Sequence, residues 1–485
     1  MKISISYPPL ENVAGTPLLS QNRQFQWFSE KTSIYPIVPA YAATMLEQAG
    51  HEAIWDDAIA EGKRYSQWLR DIDNIKPDVM LIETKTPVVK RHWKIIDEVK
   101  KANPRTKLVL VGDHVTALPE ESMLNSKADY VLTGGDYDFL LLNLVEHING
   151  RAALERGIWY RENGKIKNTG IFEANHDLDS LPFIDRDLTG WGLYAYNNGN
   201  FNETPGTYTM SGRDCWYGKC SFCSWPTLYP RFRVRKPELS VAELGQLIEH
   251  YKVKTVFDDT GCFPAGAWLE NFCNEMIEKR YGEKMSLGCN MRFGVLNRSN
   301  YRLMRKAGFR KILFGLESGN QNTLNRLNKN MVIGNAVEEC RVVSEEQLEP
   351  HISVMFGYPW EEKEDVLNTL RIVKKIMING WAYSLQSSIV IPYPGTRLYD
   401  EALEEKWFRV YPKDYERFDM KETILNVPNM TPEEILRICE KAYTLFLEPK
   451  YMIRKLAKIR SFSDIKQSVK GVEKVLGHIS DFRRK

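Results

Sequence analysis

Ser211-Gly212-Arg213-Asp214-Cys215-Trp216-Tyr217-Gly218-Lys219-Cys220-Ser221-Phe222-Cys223 gathers three of the chain's eight cysteines into one short segment. The segment follows a β-type run at 207–210, and strand and helix signals alternate from there to about 425. Strands are predicted at 207–210, 254–258, 286–291, 311–315, 352–356 and 385–391. Helices are predicted at 240–251, 266–280, 298–307, 320–327, 334–346, 362–378 and 396–404. About six strand–helix units in ~220 residues suit an incomplete parallel barrel, whose chemical face is the set of loops after the strands. The cysteines sit on the first of those loops. Three thiolates in one loop can grip a metal cluster and leave one position to a non-protein ligand. A structural zinc site wants four closed ligands, usually as two pairs. Here the next cysteine is Cys262, and no His lies between 223 and 250. Zinc and three free buried cysteines stand as the alternative readings.

Toward the N-terminus, short apolar runs at Ile3–Tyr7, Glu52–Trp55, Val79–Ile82, Leu108–Val111 and Tyr130–Leu132 alternate with helical-period segments at 38–49, 63–74, 89–102, 119–126 and 138–148. That switching of period predicts a parallel sheet with helices on both faces. The strands end in turn-rich segments: Tyr7-Pro8-Pro9-Leu10, Glu83-Thr84-Lys85-Thr86, Gly112-Asp113-His114-Val115 and Gly134-Gly135-Asp136. In open α/β sheets ligands bind beyond the carboxyl ends of strands; the same segments read equally well as plain tight turns. Residues 151–204 read as a connector, with a hairpin at Gly157–Lys165 turning on Asn163-Gly164. The region 426–485 reads as helical. Its last part, 450–485, holds eleven Lys/Arg against three Asp/Glu, the pattern of a solvated helical face or of a surface for acidic lipid or cofactor phosphates.

Composition narrows the classes. Sixty-six basic and 63 acidic residues leave a net charge of +3, which argues against nucleic acid as the main partner. The hydrophobic share of 43% is that of an ordinary soluble protein. No apolar run approaches the ~18–20 residues of a transmembrane helix, and the start lacks the apolar core of a secretory signal. Eight cysteines are too few for a disulfide scaffold, so a cytoplasmic chain with metal or redox chemistry is expected.

The cysteine loop, with aromatic Phe222 just before the last Cys, resembles the cluster-binding loop of radical S-adenosylmethionine (SAM) enzymes. Phe257-Asp258-Asp259-Thr260, Cys289-Asn290-Met291-Arg292, Ala307-Gly308-Phe309-Arg310 leading to Gly315-Leu316-Glu317-Ser318-Gly319, Gly357-Tyr358-Pro359 and Tyr393-Pro394-Gly395-Thr396 follow in the order of one subgroup. That subgroup carries an N-terminal cobalamin-binding domain. It includes anaerobic Mg-protoporphyrin ester cyclases, hopanoid-modifying enzymes and cobalamin-dependent radical methyltransferases. One departure is the four residues between Cys215 and Cys220, where three are common; Gly218 can supply the φ > 0 that the longer loop needs.

The resemblance implies an α/β chain with a Rossmann-like cobalamin domain at 1–150, the connector at 151–204, a partial (β/α)6 TIM barrel at 205–425 and a helical region at 426–485. It implies a 4Fe-4S cluster on Cys215, Cys220 and Cys223, with SAM on the free iron. Arg292 would meet the methionyl carboxylate and Asp258 and Asp259 the amine. Glu317 and Ser318 would meet ribose or the methionyl group, with Gly357 and Phe222 close to adenine. Tyr7, Pro8, Leu10, Glu83, Thr84, Lys85, Thr86, Gly112, Asp113, His114, Val115, Gly134, Gly135 and Asp136 would hold the corrin edge and nucleotide tail. The Asp-x-His-x-x-Gly motif is absent, so cobalamin is expected base-off with no His ligand, and His114 is expected to hydrogen-bond within its loop. The bland readings are helix capping for the Asp pair, an ion pair for Arg292, and buried small hydrophobes for Cys262 and Cys289. The implied activity is generation of a 5′-deoxyadenosyl radical to functionalise an unactivated carbon, chiefly by methyl transfer. A non-methylating cyclase or oxidoreductase is the close rival, and an iron–sulfur electron-transfer protein the rival from another class. The implied partners are a small-molecule substrate, compatible with a large apolar or anionic one, and an electron donor such as flavodoxin or ferredoxin.

Overall fold

The computed structural model describes residues 1–12, 15–19, 25–28, 33–196, 201 and 203–457, so of the basic segment expected at 450–485 the part from 458 on lies outside the described residues. The first sheet has five parallel strands, β1 (Lys2–Tyr7), β2 (Glu52–Asp57), β3 (Val79–Glu83), β4 (Lys107–Val111) and β5 (Tyr130–Leu132), in the order β2-β1-β3-β4-β5. Every residue of β3 is buried, as expected of a parallel strand covered on both faces. The covering helices include Ile37–Gln48, Val89–Ala102 and Tyr137–Ile148. The middle one turns Val89, Trp93, Ile96 and Val99 inward at helical spacing.

The expected connector is partly sheet. Residues Ile158–Glu162 (β6) and Lys165–Asn168 (β7) form a hairpin, and β6 pairs antiparallel with β5. This makes a seven-stranded sheet and covers the edge of the three-residue β5. Asn163 and Gly164 both take positive φ, 50° and 75°, as a two-residue hairpin turn requires.

The second sheet runs β8 (Gly206–Thr209), β9 (Thr255–Asp258), β10 (Ser286–Met291), β11 (Phe309–Glu317), β12 (Glu349–Phe356) and β13 (Ser384–Ile389), all parallel and in sequence order. Helices between the strands complete a six-unit partial barrel. Its last strand does not present a bare edge. The Tyr443 hydroxyl, on helix Pro432–Thr444, accepts from Ser387 N at 3.0 Å and donates to Ser387 O at 3.1 Å.

The two sheets are joined by buried charge. Arg213, two residues before the first cluster-loop cysteine, is 1% exposed. Its Nη1 donates to Asp136 Oδ1 and Asp138 Oδ1, each at 2.9 Å, and its Nη2 to Asp138 Oδ2. Arg233 adds a bidentate pair to Asp136 at 2.6 and 2.8 Å, and His176 Nδ1 lies 2.8 Å from the same carboxylate. Burial alone would raise the Asp136 carboxyl, but Arg213, His176 and Arg233 outweigh it and hold it well below the usual range. Arg213→Met is expected to cost about 3–5 kcal/mol of unfolding free energy, because two buried carboxylates lose their main partner. Urea unfolding measures it; a change within about 0.5 kcal/mol would contradict this account of the junction.

Candidate functional site

The root of the cysteine loop is built on Asp258, at the end of β9. Its Oδ2 accepts from Ser211 N at 2.9 Å, Ser211 Oγ at 2.7 Å and Thr209 Oγ1 at 3.1 Å. Its Oδ1 accepts from Thr260 N at 3.1 Å and Thr260 Oγ1 at 2.5 Å. Asp258 therefore braces the loop root with Oδ2 and fixes its own turn with Oδ1. Asp259 stands beside it, 3.5 Å from Asn290 Nδ2. The loop then passes Asp214 at φ 80° and Gly218 at φ 58°, which absorbs the four-residue spacing between Cys215 and Cys220. Ser221 N donates to Leu327 O at 3.0 Å, and Asn328 Nδ2 to Lys219 O at 3.1 Å. None of the three is in a disulfide, and all three are half-buried.

Around them the barrel gathers cations. Arg292, just after β10, stacks 3.6 Å from the Tyr217 ring centroid, with Nη1 3.7 Å from Cys220 Sγ and Nη2 donating to Lys329 O at 2.5 Å. Lys329 pairs with Glu317 at 2.7 Å and lies 5.6 Å from the Phe222 ring centroid. Burial pushes the Cys220 thiol up, while Lys329 and Arg292 pull toward the thiolate. Cys220, Phe222, Arg292 and Glu317 are thus brought together, with Lys329 as the hub that sequence reading missed; it follows a helix and a turn, and no local pattern marks it.

Glu317 occupies φ 64°, a conformation that is costly for a side chain with a Cβ and that turns its carboxylate over the strand end. Ser318 Oγ donates to Glu361 Oε1 at 2.7 Å, and burial pushes the Glu361 carboxyl up to about 7. Glu361 Oε2 and the hydroxyl of fully buried Tyr358 have no partner within the protein. Gly357 precedes that tyrosine at φ 97°. Among the described residues no three Cys, His, Asp or Glu side chains could hold a single metal ion. A multi-iron cluster asks for a different arrangement, since each thiolate binds its own iron.

The loops of the first sheet form the opposing wall. Glu83 accepts from Tyr7 OH and, at 3.3 Å, from Tyr137 OH. Burial pushes it up to about 7, with Lys85 opposing and Asp113 reinforcing the shift. Lys85 in turn pairs with Asp113 at 3.4 Å. Gly112 crosses so close to the Thr84 backbone that a Cβ would stand 2.2 Å from its carbonyl oxygen. His114 is fully buried, with Nδ1 3.2 Å from Thr86 Oγ1, Nε2 3.7 Å from Glu121 Oε2 and its ring 4.6 Å from that of Tyr415. His92 is likewise tied to Thr84 Oγ1 at 2.7 Å. Thr84, Thr86, Pro8, Leu10 and Val115 are buried in the same wall. Gly134, Gly135 and Asp136 turn toward the barrel: Gly135 N donates to Leu228 O at 2.7 Å, and Asp136 enters the charge junction. Phe25 N donates to Tyr393 OH at 3.4 Å.

Residues 210–373 match the model described as the Radical SAM superfamily. An uncharacterized methyltransferase of Pyrococcus horikoshii is 25% identical over 446 residues, 91% of this chain and 94% of that one. The anaerobic magnesium-protoporphyrin IX monomethyl ester cyclase of Cereibacter sphaeroides is 24% identical over 414 residues, 83% of this chain and 65% of that one. Among solved structures, the radical S-adenosylmethionine methyltransferase TsrM from Kitasatospora setae, with cobalamin and a 4Fe-4S cluster bound, is similar in fold. It has a TM-score of 0.70 at 14% identity over 99% of both chains.

The raised Glu83 carboxyl carries a pH signature. A carboxyl whose folded pKa exceeds its unfolded value is protonated longer in the folded state, so stability falls as pH rises between the two, from about 4.5 to about 7. Glu83→Gln removes that dependence. Its stability relative to the parent is expected to improve steadily from about pH 5 to about pH 8 in urea titrations, and a difference independent of pH would contradict the assignment.

Proposed function

This chain is a radical SAM protein through residues 210–373, and on that premise we propose that it is a cobalamin-dependent radical SAM methyltransferase. The observation that carries the reading is the Asp136–Arg213 junction, which ties the loop edge of the first sheet to the root of the cysteine loop. A cofactor on either wall would face a cofactor on the other.

The residues suit the groups this reading requires. Three thiols on one loop, with Arg292 and Lys329 drawing negative charge toward them, suit a 4Fe-4S cluster held by three protein ligands. Unpartnered buried atoms on Tyr358 and Glu361, beside Ser318, suit a ligand bearing amine and hydroxyl groups. The first wall lacks the Asp-x-His-x-x-Gly motif, which supports cobalamin bound base-off without a histidine ligand. Trp93 Nε1, buried without a partner beside these loops, is a donor fit for a corrin amide. When bound, these groups supply hydrogen abstraction by one-electron chemistry and a transferable methyl group.

The chain's own work is binding and placement. Arg292 offers its guanidinium to the methionyl carboxylate, held in aim by Tyr217 and the Lys329 carbonyl. Lys329 pairs with Glu317 at the strand end, where the carboxylate can accept from an amine or a ribose hydroxyl. Glu361, its carboxyl pushed up to about 7 by burial, accepts from Ser318 Oγ and lies beside Tyr358. Phe222, Tyr358, Leu327 and Leu398 pack into an apolar shell that limits water around Cys220. A flavodoxin- or ferredoxin-type electron donor and a small-molecule substrate complete the reading. Among the described residues, no helix is long and apolar enough to cross a membrane.

Anaerobic reconstitution with iron, sulfide and cobalamin, followed by reduction in the presence of SAM, tests the proposal. The expected products are 5′-deoxyadenosine and S-adenosylhomocysteine, with both falling to background in Cys220→Ala. Full activity in Cys220→Ala would overturn the reading. Substrate turnover with 5′-deoxyadenosine but no S-adenosylhomocysteine would instead select the non-methylating cyclase chemistry.

A further inference from the structure

Cys262 stands outside the cysteine loop, in the turn after β9, and is 1% exposed. The residue before it, Gly261, packs on the loop so closely that a Cβ would lie 3.0 Å from the Asp214 carbonyl and from Cys215 N. That contact delivers the Cys262 side chain to Cys215, and the two thiols are hydrogen-bonded. Its Sγ can also donate to Met291 Sδ at 3.9 Å, and the Arg292 backbone amide lies beside it. The turn is clamped on both sides: Thr260 Oγ1 accepts from Gly212 N at 2.9 Å, and Phe263 N donates to Asn290 O at 2.8 Å. The sulfur–sulfur contact is thus a fixed feature of how the turn meets the loop root.

A thiol can donate to only one acceptor at a time, and a metal-bound Cys215 would be the most negative sulfur within its reach. Hydrogen bonds to cluster sulfurs stabilise the reduced, more negative state and raise the reduction potential. We propose that Cys262 is a positioning residue of the cluster, its S–H donating to the Cys215 sulfur and making the cluster easier to reduce than the three ligands alone would. The proposal rests on the cluster reading above and adds a fourth cysteine that does not ligate.

The test uses the full chain, reconstituted anaerobically, with Cys262→Val removing the donor at similar bulk and Cys262→Ser keeping a donor. The readout is the cluster's midpoint potential from redox titration followed by electron paramagnetic resonance. Cys262→Val is expected to move to a more negative potential, with a severalfold smaller reduced fraction at the parent's midpoint. Cys262→Ser is expected to stay at or above the parent value, with iron content unchanged in both. Equal potentials in all three proteins would overturn the proposal. So would loss of iron from both variants, which would make Cys262 a ligand or a packing residue. A parent chain that takes up no cluster would instead defeat the function proposed above.

Discussion

A buried guanidinium can persist only where carboxylates meet it, and Arg213 finds its two in the other half of the molecule. Neither half can satisfy its charges alone. Asp136 is the N-cap residue and Asp138 is in the first turn of the helix that follows β5, and Arg213 lies at the root of the cysteine loop, so the desolvated charges hold these two segments together. Arg233 and His176 add partners to Asp136, which leaves the carboxylate ionised in spite of its burial. The arrangement that would bring two cofactors together is therefore enforced by electrostatics that no change of register within either sheet could relieve.

Inside the barrel the same logic works at shorter range. Asp258 holds the loop root through three hydrogen bonds to Thr209 and Ser211 and its own turn through two to Thr260, and Lys329 links Glu317 to the surroundings of Cys220. The positive φ of Glu317 is tolerated because Lys329 captures its carboxylate and the register shift in β11 makes room for it. Two buried acids held near neutrality, Glu83 and Glu361, lie one on each wall. Glu361 is met by hydroxyl groups, and the Lys85 beside Glu83 is shared with Asp113, which is why burial prevails at both and does not at Asp136.

Most of the architecture was legible in the chain because strand and helix periods are local. Tyr130–Leu132 and Ser286–Met291 coincide with their predicted spans, and most other elements differ by one to three residues at their ends. Pairing is not local. The hairpin at Ile158–Glu162 was visible as a hairpin, but its joining of the first sheet depends on an unpaired edge at β5. Site residues divide in the same way. The three cysteines declare themselves by spacing, and Gly218 by the extra residue beside it. Asp258 and Asp136 look like ligand groups by position, yet Asp258 is engaged with Ser211 and with Thr260 of its own turn, and Asp136 with Arg213 and Arg233; Ser211 and the two arginines lie far along the chain. Cys262 reads as a buried small residue and is one; only folding shows that its neighbour is Cys215.

The central claim is that one chain holds a cluster and a cobalamin on facing walls. Pulsed electron paramagnetic resonance on anaerobically loaded protein, with the cluster reduced and the cobalt in its paramagnetic divalent state, tests this directly. The account predicts a strong dipolar coupling between the two spins. Two signals that remain uncoupled in a fully loaded sample would contradict it.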